Sequence, residues 1–159
     1  MNQVFKTAAI FLGVMLAQLY LAQLLELGEL HPDFILVFLV FLSARYGRIS
    51  GILVGFGAGL LQDVTGSLSV LGANALAKSV VGYTLGTLNG TSAVWTSRVV
   101  NIYIYVALVG HAIIYQVIMS LGLHYPFTLL VGRILLEAFI SSILVTGLRF
   151  IVPLMPQEA

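Results

Sequence analysis

The chain has 159 residues, 60% of them hydrophobic and only 8% charged, with a mean hydropathy of +1.07, a composition that would expose too much apolar surface in water. A formal charge of +1 gives no electrostatic argument for nucleic acid, which needs a concentrated basic face to neutralise phosphates. Zero cysteines exclude disulfides, thiolate catalysis and Cys-ligated metals.

No stretch is long or polar enough to fold as a separate soluble unit, so residues 1–159 are expected to form a single integral membrane domain. A spanning helix needs roughly 20 apolar residues, fewer where neighbours let it sit short. Six apolar runs follow one another: Val4–Leu25, Phe34–Ala44, Ile49–Leu61, Val70–Leu88, Val99–Leu121 and Leu129–Val152. The expected fold is therefore all-α, a compact bundle of six transmembrane helices.

The first run is too long for a secretory signal. It carries a lone Lys6 and no convincing small-x-small cleavage site follows it, so it is expected to remain as a first helix. Ala9, Gly13 and Ala17, spaced by four, give it a ridge of small residues available to a partner protein. The second and third runs are short and are joined by Arg45-Tyr46-Gly47-Arg48; each borrows from its flanks, or the two form a bent hairpin. Gly47, Gly51, Gly55 and Gly59 recur at i, i+4 on the third run, the spacing that lets membrane helices approach backbone to backbone. A polar clause, Gln62-Asp63-Val64-Thr65-Gly66-Ser67, follows.

On the fourth run, steps of four align Asn74, Lys78, Gly82, Gly86 and Gly90 on one face. Lys78 sits mid-segment, where an unpaired cation costs about 3 kcal/mol or more, so it must face the bundle and find a partner. Counted along the helices, Lys78 and Glu137 of the sixth run lie equally deep, about 12 Å from the outer end. Glu137 is thus the first expected partner and Asp63 the second, with Arg133 competing for Glu137 from one turn away. Asp63, Asn74, Lys78, Arg133 and Glu137 are expected to form a buried polar network that fixes helix register, with a ligand or proton site and a contact with a partner's helix as the alternatives. On the fifth run Asn101, Tyr105, Tyr115 and Gln116 share about a third of the circumference, with His111 at its border.

Positive residues collect at cytoplasmic ends of membrane helices. Lys6, Arg45 with Arg48, Arg98 and Arg149 fall at alternate ends of the six runs, and Glu26, Glu29, Asp33 and Asp63 at the opposite ends. Both termini are therefore expected in the cytoplasm. His31, His111 and His124 have no metal-ligand spacing, and Ser67, Ser69 and Ser79 lack a base in a recognised arrangement. No catalytic, cofactor-binding or metal-binding residue is expected.

Pro32-Asp33, then Gly55-Phe56-Gly57-Ala58-Gly59-Leu60-Leu61-Gln62-Asp63, Gly66-Ser67, Leu71-Gly72-Ala73-Asn74-Ala75-Leu76-Ala77 and Val81-Gly82-Tyr83 together resemble the MreD family of bacterial rod shape-determining membrane proteins. The resemblance covers Pro32 to Gly86 by motif and the remainder by length, segment number and hydropathy. It implies a non-enzymatic component of the elongation machinery that builds lateral peptidoglycan at the inner membrane. The implied partners are an MreC-like protein and, indirectly, the MreB filament, RodA and penicillin-binding protein 2. The implied fold is similar to the S components of energy-coupling-factor transporters, and a small-molecule-binding transporter subunit is the alternative function. The short outer connections carry few groups able to recognise a polar vitamin, which weighs against that alternative.

Overall fold

The computed structural model describes residues 2–24, 32–66, 70–90, 96–122 and 126–151. It contains α1 (Asn2–Leu24), α2 (Phe34–Thr65), α3 (Ala73–Gly86), α4 (Ser97–Gly122) and α5 (Phe127–Ile151). Three of these, α2, α4 and α5, are long and apolar enough to cross a membrane, which makes the chain a multi-pass membrane protein.

Five helices cover the six apolar runs because the second and third runs belong to one element. That element breaks at Gly47, whose φ of 85° and ψ of −175° lie in a region essentially confined to glycine. The chain turns back there. Ser43 Oγ lies 2.7 Å from where a Cβ on Gly51 would stand, although eight residues of unbroken helix would separate them by about 12 Å. Gly47 therefore divides two arms and does not continue the packing ridge that its spacing suggested. Gly90 also leaves its expected ridge: it lies beyond α3 at a φ of 86°, with open space where a Cβ would be.

The second arm of α2 runs antiparallel to α3 with almost no side chain between them. A Cβ on Gly55 would stand 2.6 Å from the Lys78 carbonyl oxygen, and one on Gly59 2.6 Å from the Ala75 nitrogen. Gly51 and Gly82 face one another backbone to backbone, and Gly86 meets the backbone of Gly47 and Arg48. Lipid gives two apolar helices no hydrophobic reason to associate, so such close van der Waals packing is what holds the pair. Leu36 and Val40 from α2, Val81 and Leu85 from α3, Ile104 and Leu108 from α4 and Val145 from α5 complete a buried apolar core around it.

Helix α1 lies at the side. Its Phe11 ring meets Phe38 with centroids 5.6 Å apart. Gln18 clasps the start of α2: its Nε2 donates to the Pro32 carbonyl at 3.2 Å, and its Oε1 accepts from the Phe34 N–H at 2.8 Å. Ala9 and Gly13 are exposed and Ala17 is half-buried, and a Cβ on Gly13 would meet nothing within 4 Å.

Charge is segregated along the bundle. Asn89, just beyond α3, donates to the Arg45 carbonyl beside the break, and Arg149 near the end of α5 donates to Asn101 near the start of α4. The Tyr103 hydroxyl, two residues further along α4, donates to the Thr84 carbonyl of α3. Arg45, Arg48, Arg98 and Arg149 thus share one end, and Asp33 and Asp63 lie at the other.

Candidate functional site

The site begins at the join of α2 and α3. Gly72 caps α3 with a left-handed φ of 95° and has no side chain to offer the free N–H groups of the first turn. Asp63, buried near the end of α2, supplies the missing acceptor. Its Oδ2 accepts from the N–H groups of Gly72 and Ala75 at 2.9 and 3.2 Å, and its Oδ1 accepts from Asn74 N–H at 3.1 Å and Asn74 Nδ2 at 2.9 Å. A carboxylate suits this position, since the start of a helix carries partial positive charge.

One turn further along α3, Lys78 is fully buried. Its Nζ donates to Asp33 Oδ2 at 2.5 Å and to Asn74 Oδ1 at 3.0 Å. Asp33 in turn caps α2, its Oδ1 accepting from the Leu36 N–H at 2.8 Å. Burial acts to raise the Asp33 carboxyl, but the Lys78 charge and hydrogen bond, the charge of His111 and the Leu36 N–H together hold it below the usual carboxylate range.

Lys78 therefore pairs with Asp33, where matched depth pointed to Glu137. Depth was counted at the Cα atoms. The four-carbon stem of a lysine carries its charge roughly a helical turn along the axis, far enough to reach the cap of the neighbouring helix. Asp33 had a signal of its own as a cap candidate, an aspartate standing directly before an apolar run.

Glu137 belongs to an adjoining group formed by α4 and α5. Gln116 Nε2 donates to its Oε2 at 2.8 Å, and His111 Nδ1 stands 3.2 Å from its Oε1. Neither buried ring nitrogen of His111 makes a well-directed hydrogen bond, so this contact is an ion pair only when the ring is protonated. Arg133 lies one turn before Glu137 and is half-buried. Tyr115 joins the two groups: its ring lies nearly parallel to that of His111, with centroids 6.2 Å apart, and its hydroxyl reaches the Asn74 side chain.

Asp63, Asn74 and Lys78 are thus contiguous, and Tyr115 and His111 stand between them and Glu137. Asn101 and Tyr105 lie elsewhere, bonded to Arg149 and to Thr146. Among the described residues no three His, Asp or Glu side chains gather as a metal ion would require, and His31, His124, Ser67 and Ser69 lie outside those residues.

Each buried charge here has a cap or a counter-charge to serve, and the helices around it are apolar enough to cross a bilayer. These features define a multi-pass helical membrane protein whose polar interior ties its helices together. The chain belongs to the MreD family: the model described as rod shape-determining protein MreD matches residues 1–155. That family is non-enzymatic and acts in rod shape determination. No curated protein and no solved structure matches the chain.

Proposed function

We propose that the protein organises lateral peptidoglycan synthesis as a non-enzymatic component of the bacterial cell-wall elongation machinery in the inner membrane. Membership of the MreD family over residues 1–155 carries this reading. In it, an MreC-like protein is the direct partner, and the MreB filament, RodA and penicillin-binding protein 2 are reached through the assembled machinery. The six apolar runs cross the bilayer as a compact bundle resembling the S components of energy-coupling-factor transporters. Asp63, Asn74, Lys78, Arg133 and Glu137 fix the register of its helices, and Gly51, Gly55, Gly59, Gly82 and Gly86 let them pack. The exposure of Ala9 and Gly13 on α1, with open space beside Gly13, supports a partner face along the Ala9, Gly13 and Ala17 ridge.

Depletion in a rod-shaped host is expected to round the cells, because lateral synthesis loses its organiser while septal synthesis continues. An affinity-tagged chain purified in mild detergent is expected to bring down an MreC-like protein. Unchanged cell shape together with tight vitamin binding by the purified protein would favour a transporter subunit instead.

In this reading both termini face the cytoplasm, which the segregation of the arginines from Asp33 and Asp63 supports. Reporter fusions after Pro156 and in the Asn89–Ser97 connection are expected to read cytoplasmic, and fusions near Gly28 and Leu123 external. An external C-terminus would overturn the six-segment arrangement.

A further inference from the structure

Among the described residues, Arg45 and Arg48 at the basic end of the bundle carry charge that no carboxylate answers. Asp33 and Asp63 lie at the far end, and Glu137 is held by Gln116 and His111, so no described carboxylate neutralises Arg45 or Arg48. Both arginines are exposed and flank Gly47, the point at which α2 turns back, so their side chains leave from neighbouring ends of the two arms. The Arg48 guanidinium lies 5.6 Å from the Tyr83 ring centroid and that of Arg45 6.0 Å from the Tyr46 ring. These tyrosines are about half exposed, the placement that amphipathic aromatics take at the level of lipid headgroups.

Directly below Arg48 on the same arm, Ile49, Leu53, Phe56 and Leu60 form an exposed apolar row at helical spacing. A water-borne acidic protein surface would match the arginines and leave this row unused. One molecule satisfies both: a phosphodiester headgroup above, continuous with acyl chains below.

We propose that Arg45 and Arg48, at the turn between the two arms of α2, hold the headgroup of an anionic phospholipid whose chains lie along Ile49, Leu53 and Phe56. A basic side chain near an anionic headgroup strengthens binding about fivefold, so the two arginines together give a preference of about 30-fold over a zwitterionic lipid. The site does not depend on which side of the membrane this end faces.

The test is native mass spectrometry of the full-length protein in detergent, titrated with phosphatidylglycerol or with phosphatidylcholine of identical acyl chains. Retention of phosphatidylglycerol about 30-fold above phosphatidylcholine, falling to near parity in the Arg45→Gln/Arg48→Gln variant, is the expected result. Equal retention of both lipids, or an undiminished preference in the double variant, would overturn the proposal. Displacement of the lipid by inorganic phosphate at constant ionic strength would mark a soluble-anion site and overturn it too. Should the double variant fail to fold, the intact protein decides: the preference must shrink as sodium chloride rises, and a salt-independent preference refutes the arginine contact.

Discussion

Lys78→Met is expected to destabilise the protein by roughly 3–5 kcal/mol, because it leaves the Asp33 carboxylate in the protein interior without its counter-charge. Asp33→Asn should cost a comparable amount by stranding the ammonium, although asparagine still caps α2 as well as aspartate does. That substitution therefore isolates the charge from the cap. The double variant Lys78→Met/Asp33→Asn is expected to be more stable than either single variant, since the pair leaves together. Combining Lys78→Met with Glu137→Gln should give no such relief, because Glu137 answers to Gln116 and His111. Thermal unfolding of the purified variants in detergent measures this. Relief by Glu137→Gln in place of Asp33→Asn would show that the ion pair has been assigned to the wrong carboxylate.

Gly82→Ala is expected to be nearly as damaging, although it adds a single methyl group. The new Cβ would be driven into the Gly51 backbone, and a backbone cannot move aside as the end of a flexible side chain can. The two helices must separate along their length, which typically costs 1–3 kcal/mol or more for an overpacked contact. Gly55→Ala should behave alike, its methyl meeting the Lys78 carbonyl. Gly57→Ala is the internal control. It sits on the same arm with nothing within 4 Å of its would-be Cβ, so it should be neutral or mildly stabilising through better helix propensity. Equal melting of all three variants would mean that the glycine contacts do not hold the helices together.

Much of the bundle can be read from local spacing. The apolar runs mark the segments that are helical, because an unsatisfied backbone in lipid leaves a segment little choice but helix, and α2, α4 and α5 are long and apolar enough to cross a membrane. The i, i+4 glycines mark the faces that make close approach, since three or four residues return the chain to the same side of a helix. Lys78 identifies itself as buried and paired by its mid-segment position alone.

What spacing along one helix does not contain is the rotation of its neighbours about their own axes. Counting residues gives the height of a side chain in the bilayer, and equal heights made Glu137 the natural partner for Lys78. The azimuth of α3 against α2 decided otherwise: the backbone contacts of Gly51, Gly55 and Gly59 turn Lys78 toward the cap of α2, where Asp33 waits. The same geometry hands Asp63 to the N-terminus of α3 and leaves Glu137 to His111 and Gln116 on α4. Gly47 shows the complementary case. Its spacing matched the ridge, but a helix cannot continue through a φ of 85°, and only the packing of the two arms requires the chain to turn there. The sequence by itself determined which segments are apolar helices, which glycine faces are tight and which charge needs a partner. The choice of that partner, and of the residue at which the chain reverses, belongs to the tertiary structure, because both depend on contacts between segments distant in the chain.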